Sequence, residues 1–462
     1  MSQSLFQTGS YPLTFVSMLL RLPPSPIRPF LHKLLTAGLA AADPHQALLK
    51  TVVLNGASLR IGRRSFDLSH TKRVIAVGAG KASARMAQAL EIVLGERLDD
   101  GLVIVKTGHS LPTRRTAVLE AGHPIPDRAG LVATQRLLRL TQTLSPRDLL
   151  IVLLSGGASS LLPAPVSDVT LADKQRTTQL LLRCGATINE VNVVRKHLSL
   201  IKGGGLAAST SARIITLVLS DVIGDDLGSI GSGPTAADPS TFTEAVEVLQ
   251  RYQIWSAVPS AVRRYLQRGQ KGAVPETLKP GTPRGRSVHH HIVGSNHIML
   301  EAVERVARDA GLFTKLLSSP LTGEARVAAK QLVELGKALR TRRSRVRRPY
   351  CVVAGGETTV TVTGHGKGGR AQEFAAAAAF ELSGLSNAWI VALGSDGTDG
   401  PTKAAGALVS SETVSRAKRL KVDLQSALNR HNTYPALKKL GCHIHTGPTG
   451  TNVNDLYLFL QL

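Results

Sequence analysis

Apolar, often β-branched runs alternate with amphipathic stretches along most of this chain. The runs RVIAV (73–77), GLVIV (101–105), DLLIVLL (148–154), RIITLVLS (213–220), HIVG (291–294), YCVVAG (350–355) and AWIVALG (388–394) predict strands. Between them, residues 128–141, 170–183, 295–310, 322–340 and 371–383 carry apolar positions at helical spacing. Strand, helix, strand is the order of a parallel sheet under helices. The runs are near-continuously apolar, as burial on both faces requires. The expected fold class is α/β. Residues 268–287, RGQKGAVPETLKPGTPRGRS, are polar, rich in Gly and Pro and without periodicity, and predict a domain boundary. A length of 462 residues suits two or three domains. The expected division is an N-terminal extension (1–29), a first domain (30–280) and a second (281–462).

Charge adds a constraint on partners. There are 56 Lys and Arg against 32 Asp and Glu, a formal charge of +24, which draws anions. Aromatics are only 4 % and no nucleic-acid-binding module is present, so nucleic acid is not an expected partner. The densest basic run, RTRRSRVRR (340–348), reads as a solvated connector. Cys184, Cys351 and Cys442 lack metal or disulfide spacing and suit a reducing compartment. No stretch offers 18 consecutive apolar residues, so no membrane span is expected. The first acid is Asp43, as in a transit peptide, but the prolines of RLPPSPIRPF break any long amphipathic helix. The expectation is a ragged extension on a cytoplasmic protein.

The candidate chemistry sits in glycine loops. VGAGKAS is not a P-loop, because Ile75 stands where the first glycine belongs and Ala82 follows the lysine. Gly78, Gly80 and Ser83 fit a dinucleotide fingerprint better, yet the next strand ends in Lys106, not in the acid that would hold a ribose. Anion binding at a helix N-terminus beside Lys81 remains, against a plain packing turn. LLSGGASSLLPAP ends a strand at Ser155, Gly156 and Gly157, and G-x-S-x-G occurs nowhere, which disfavours a serine nucleophile. In NEVNVVRKHLSLIKGGGLA, Asn192, Arg195, Lys196 and Lys202 share a helical stretch; Arg195 and Lys202 are seven apart, on one face. LSDVIGDDLGSIGSGPT brings Asp221, Asp225 and Asp226 to a strand end, as a Mg²⁺ or general-base cluster or as Asx turns. Glu357, Arg370, Asp396 and Asp399 stand in similar loops of the second half, and HTGPTGTNVNDL closes the chain with hydroxyls and amides. His289, His290 and His291 would alternate faces on a strand, so a metal site there is not expected.

Seven collinear motifs, VGAGKAS, SGGASSLLPAP, VRKHLSLIKGGGLA, SDVIGDD with SGPTAADP, GGETTV with GKGGRAQE, SDGTDGPTKAAGA and GPTGTNVND, resemble the glycerate 2-kinase family. Its C-terminal part is the MOFRL domain, and some members were once labelled hydroxypyruvate reductases. The resemblance runs from about residue 30 to the end. It implies a Rossmann-like first domain with a parallel sheet, a C-terminal α/β domain and an active site in the interdomain cleft. The implied reaction is ATP plus D-glycerate giving 2-phosphoglycerate and ADP, with Mg²⁺; a homodimer is among the expected partners. Lys81 and Arg370 match the family's proposed active-site lysine and arginine. On that basis Lys81 and Arg370 are assigned to the substrate carboxylate and the transferred phosphoryl group, and Asp221 to catalysis as a candidate base. Asp225, Asp396 and Asp399 are assigned to metal. Substrate and nucleotide contacts are assigned to Gly78, Gly80, Ser155, Gly156, Gly157, Arg195, Lys202, Ser232, Gly233, Glu357, Gly397, Thr398, Thr451 and Asn452. Two positions depart from the family: Ala371 replaces an expected Asn, and Lys403 an expected acid, reversing a charge beside the Asp396–Asp399 loop. The alternatives are an NAD(P)H-dependent hydroxypyruvate reductase, with Lys106 on a 2′-phosphate, and a non-catalytic nucleotide- or polyanion-binding homologue. His109, His123 and His197 are the reductase's candidate proton donors, without a dehydrogenase context.

Overall fold

Six parallel strands form the larger scaffold: β4 (Val74–Ala79), β5 (Asp100–Lys106), β6 (Thr116–Ala121), β7 (Leu149–Leu154), β8 (Arg213–Leu219) and β9 (Val288–Gly294). They follow a three-stranded antiparallel sheet of β1 (Val52–Asn55), β2 (Ser58–Ile61) and β3 (Arg64–Asp67). The computed structural model describes residues 20–339 and 349–462. The basic run at 340–348 and residues 1–19 of the expected extension lie outside them. The described chain forms two compact units. One spans Asp43–Ser295 with Gly450–Val453; the other takes the chain up to Ala42, Asn296–Thr449 and Asn454–Leu462.

In the first unit the strand order is β6-β5-β4-β7-β8-β9, so the chain order reverses at β4, between β5 and β7. Ile75, Val77, Leu102, Ile104, Leu150 and Val152 pack with Leu137 and Leu138 of the helix Arg128–Gln142. The alternate positions Val74, Ala76, Val103 and Ile151 are equally buried, which requires cover on the opposite face as well. A second core lies among the helices Leu171–Arg183, Ile188–His197, Phe242–Arg251 and Ser260–Gln270, around Leu181, Val191, Phe242, Leu249 and Leu266. Three of these helices open with capping boxes, Thr170 with Asp173, Thr187 with Glu190 and Thr241 with Glu244. In each, the hydroxyl accepts from the third amide and the acid accepts from the cap amide, satisfying two orphan donors.

The first unit extends past the predicted boundary at 280. β9 pairs with β8 from Ile214↔Val288 onward, so the sheet is finished only at Gly294. The polar segment before it is pinned inside the unit: the Leu278 amide donates to the Gly203 carbonyl (3.0 Å) and the Asp238 amide to that of Leu278 (2.7 Å). The helix Arg28–Ala41, expected with the first domain, belongs to the second unit. It buries Leu31, Leu34 and Leu35, and Gly38 lets it approach the helix Asn296–Asp309, where an added Cβ would stand 2.7 Å from Val303 Cγ2.

The second unit carries a mixed sheet of β10 (Phe313–Leu316), β11 (Leu321–Glu324), β12 (Tyr350–Thr359), β13 (Ala388–Gly394), β14 (Gly406–Ser410), β15 (His443–Ile444) and β16 (Asp455–Gln461). β10 and β11 run parallel to β12. β16, the last in sequence, lies fully buried between β12 and β13 and antiparallel to both. The helix Arg370–Glu381 packs a nearly unbroken alanine stripe, Ala375–Ala379, into the core beside Phe374, Tyr457 and Phe459. No helix of the described residues is long and apolar enough to cross a membrane.

Candidate functional site

The carboxyl ends of the parallel strands carry the first cluster. Gly78 and Gly80 are glycines because of β7. A Cβ on Gly78 would strike the Leu153 carbonyl, and one on Gly80, whose φ is +139°, would strike Ser155. The loop amides are spent inside the protein. Gly80 donates to the Ile104 carbonyl (3.1 Å), Lys81 to that of Gly156 (2.9 Å) and Ala82 to Ser155 Oγ (3.0 Å). Ser155 Oγ also lies 3.3 Å from Ser83 Oγ, so this buried hydroxyl clamps the start of the helix Ser83–Leu94. These three loop amides are therefore committed to β5 and to the residues just past β7. What the loop presents is the Lys81 side chain, held on a rigid backbone.

Around Lys81 the neighbouring strand ends converge. A Cβ on Gly157 would lie 3.0 Å from the His123 ring and 3.5 Å from Lys81 Cγ, and one on Gly156 would strike the Asp221 carboxylate. Lys81, His123, Gly156, Gly157 and Asp221 thus stand together beyond β4, β6, β7 and β8. His109 Nδ1 is 3.3 Å from the Lys81 carbonyl oxygen. Burial, and then the charges of Lys81, Lys106 and His109, push the His123 imidazole down to about 4, so it is neutral at pH 7. Asp226 closes its own turn, accepting from the Gly228 amide (3.2 Å) and Ser229 Oγ (2.6 Å). Asp225 beside it has φ +56° and is half-buried.

Arg195 and Lys202 meet at a cavity of about 550 Å³ next to this cluster. Lys202 Nζ donates to the Ser159 carbonyl (2.7 Å) and lies 3.4 Å from that of Gly231. Ser232 and Gly233, expected at the substrate or nucleotide, also spend their amides internally. Ser232 and Gly233 donate to the carbonyls of Ser229 and Ile230 (both 2.9 Å), and Ser232 Oγ bridges Asn192 Oδ1 (3.1 Å) and Ser159 Oγ (2.9 Å). Lys196 is committed elsewhere, to Asp238 at 3.1 Å.

In the second unit, Arg370 opens its helix and grips two acids. Nε and Nη2 donate to the Asp455 oxygens (2.7 and 3.0 Å), and Nη1 to Glu357 Oε1 (2.6 Å). Asp455, only 2 % exposed, also accepts from Tyr457 Oη at 2.9 Å. Burial pushes its carboxyl up, to about 6, against the pull of Arg370. Asp399 is a capping group: its oxygens accept from the amides of Ala371 (3.0 Å) and Gln372 (2.9 Å) and from Gln372 Nε2 (2.9 Å). Asp396 Oδ1 takes the Thr398 amide (3.0 Å) and hydroxyl (3.2 Å), and Gly397, at φ +86°, sits against the Gly447 carbonyl. Thr451 and Asn452 lie in the short segment that groups with the first unit.

Comparison with known proteins agrees with both halves. The MOFRL family model matches residues 350–455, and the model described as "Domain of unknown function (DUF4147)" matches residues 30–267. The glycerate 2-kinase of Pyrococcus horikoshii is 40 % identical over 427 residues, 92 % of this chain and 95 % of its own. The chain belongs to the glycerate kinase family. The D-glycerate 2-kinase of Thermotoga maritima is 40 % identical over 391 residues, 84 % of this chain and 90 % of its own. A crystal structure of the Thermotoga maritima glycerate kinase superposes with a TM-score of 0.84 at 36 % identity, covering 95 % of this chain and all of that one.

Within the glycerate kinase family, the two departures of this chain fall in different settings. Ala371 is fully buried and gives its amide to Asp399, whereas the Lys403 side chain is exposed. Among the described residues no group of three or more His, Cys, Asp or Glu is placed to hold a metal ion. Of the expected metal ligands, Asp225 belongs to the first unit and Asp396 and Asp399 to the second, and Asp399 already accepts from the amides of Ala371 and Gln372. Two residues passed over by the sequence reading matter here. Asp455 is signalled by an acid opening the apolar run DLYLFLQL, and Lys174 by a lysine on the buried stripe of an amphipathic helix.

Proposed function

We propose that this chain transfers the γ-phosphoryl group of ATP to O2 of D-glycerate, giving 2-phosphoglycerate and ADP. The observation that carries the reading is the Lys81, His123 and Asp221 cluster at the ends of a parallel sheet whose strand order, 3-2-1-4-5-6 in chain sequence, is Rossmann-like. Ligands of such sheets bind outside the strand ends, where the order reverses. That is where Lys81 stands.

Phosphoryl transfer rests on positioning and charge neutralisation. Lys81 faces the anionic reactants from a loop whose amides are locked to β5 and to the residues just past β7, so its ammonium needs little reorganisation. Asp221 accepts the proton of the C2 hydroxyl as that oxygen attacks phosphorus. His123, neutral at pH 7, adds a hydrogen bond without adding charge. Three of the five N–H donors of Arg370 go to Asp455 and Glu357. The two others have no partner among the described residues and suit an anion. Mg²⁺ bound with the nucleotide supplies charge neutralisation on the phosphate oxygens. Such sites use one or two carboxylates with several waters. Half-buried Asp225, in the first unit, or half-buried Asp396, in the second, would each offer one such carboxylate; Asp399, already accepting three N–H bonds, fits less well. Free thiols at Cys184, Cys351 and Cys442 support a reducing, cytoplasmic setting.

The test is ADP release with D-glycerate, ATP and Mg²⁺, and a separate assay of hydroxypyruvate with NADPH. Turnover is expected in the first and none in the second. Lys81→Ala should lower kcat by about 10³ or more, the scale of a charge-stabilising group in this chemistry, with unchanged thermal unfolding. Near-normal turnover in that variant removes Lys81 from the mechanism, and NADPH oxidation without ADP release overturns the kinase reading.

A further inference from the structure

The cavity beside the strand-end cluster has a mixed lining: Pro126, Leu171 and Leu182 are apolar, and Lys174, Arg195, Lys202 and the exposed Arg176 are basic. Among the described residues no aspartate or glutamate lines it. It begins where the catalytic cluster ends, since Ser160 Oγ donates to the carbonyl of Pro124, the residue after His123 (2.7 Å).

Lys174 is the decisive side chain. It is 9 % exposed, lines the cavity, and its Nζ has no hydrogen-bond partner. The acid next to it in sequence, Asp173, is turned to the helix cap, where it accepts from the Thr170 amide (2.9 Å) and hydroxyl (2.7 Å). Arg195 makes no hydrogen bond or ion pair among the described residues, and Lys202 bonds only to uncharged oxygens. Burial, and then Arg195, pull the Lys174 ammonium down to about 7. Burial, and then Lys174 and Arg195, hold Lys202 well below its ordinary value. Two buried lysines and a half-buried arginine without a counter-charge are unfavourable on their own. A ligand with several negative charges supplies what the protein omits.

The apolar part of the lining narrows its identity. Glycerate is a three-carbon monoanion; it would leave the apolar side chains uncovered and two of the buried or half-buried cations uncompensated. A nucleoside triphosphate brings a polyanionic chain for the cations and a flat base for the apolar side chains. The volume of about 550 Å³ lies in the range of such ligand sites. We propose that this cavity is the nucleotide subsite, with Lys174, Arg195 and Lys202 on the phosphate chain and the base against Pro126, Leu171 and Leu182. The assignment rests on the kinase reading above and adds a binding role for Lys174.

Equilibrium binding of ATP, ADP, AMP and inorganic tripolyphosphate to the full chain tests it apart from turnover. Tripolyphosphate should compete with ATP, and AMP should bind most weakly. Lys174→Met should weaken ATP by about 30-fold or more, the loss expected when one side of a buried charge pair is truncated, and raise KM for ATP while leaving KM for glycerate unchanged. Leu182→Asp, at a position 58 % exposed and so tolerant of charge, should weaken ATP in the same direction. If both variants bind ATP normally, or if KM for glycerate moves instead, the subsite assignment is overturned while turnover by the unaltered chain keeps the kinase reading. If the unaltered chain binds ATP at this cavity but releases no ADP with glycerate, the kinase reading fails and the subsite stands.

Discussion

Arg370 and Lys174 are cations near the functional loops of the two units, and their surroundings are opposite. Arg370 meets two carboxylates, Asp455 and Glu357, in a network that also reaches Tyr457. Lys174 shares its cavity with Arg195 and Lys202, with no acid in the lining among the described residues. The charge of the first is already balanced by protein carboxylates, with two N–H groups left over for an anion, so its removal damages the fold as well as the site. The second has no counter-charge, so its removal relieves the fold and damages binding. Partner inventory, and not residue type, separates a cation neutralised within the fold from one that is not.

The sharpest way to break this contrast is Arg370→Ala. It leaves Asp455 buried and unpaired, and should destabilise the second unit by about 3–5 kcal/mol, read by chemical denaturation. Adding Asp455→Asn should recover much of that loss; no recovery would mean that the pair is not the cause. Asp399→Ala comes next, at about 2 kcal/mol, because two helix amides lose their acceptor; an effect confined to Mg²⁺ dependence of turnover would return Asp399 to the metal. Lys174→Met has the opposite sign and should stabilise the protein by about 1–2 kcal/mol near pH 7. The folded pKa lies at about 7, below the unfolded value of 10.5. The unfolded chain therefore binds more protons between those values, and stability of the unaltered protein rises with pH across that window. The cost is full below about 7 and gone above 10.5, so the gap to the Met variant should close there. Arg195 and Lys202 line the same cavity, and burial holds both below their ordinary values; a flat difference across the window would show that Lys174 is not strained. Glu357→Gln is the mildest. Its side chain is 47 % exposed, and loss of a solvated ion pair should cost less than about 1 kcal/mol. A larger loss would make Glu357, not Asp455, the anchor of Arg370.

Much of the first unit was readable along the chain. The runs at 73–77, 101–105, 148–154 and 213–220 become neighbouring strands, because a doubly covered parallel sheet needs continuous apolar stretches. β14 and β16 escaped the reading, and so did the central place of β16: strand pairing between residues a hundred positions apart is set by the whole sheet and has no local signal. The boundary was drawn at 280 on composition, but a polar Gly and Pro segment can equally be a pinned connection within a unit, as the Leu278–Gly203 bond shows. The motif loops do stand at strand ends, and the amides of Gly80, Lys81 and Ala82 follow the packing-turn alternative. A glycine loop before a helix reads as an anion cradle; here Ser155 Oγ and the carbonyls of Ile104 and Gly156 already occupy its donors. Asp399 and Asp455 carry the same carboxylate, and only their partners distinguish a helix cap from an arginine anchor.

By itself the sequence determined the longest buried strands and the amphipathic helices between them, since apolar periodicity and capping boxes act within a few residues, and it carried the motif set by which the family is recognised. Tertiary structure alone decided which charges are paired. Whether a lysine or an aspartate is satisfied depends on atoms brought near it by distant strands and helices, and Coulomb and desolvation energies depend on that distance and burial, not on position along the chain.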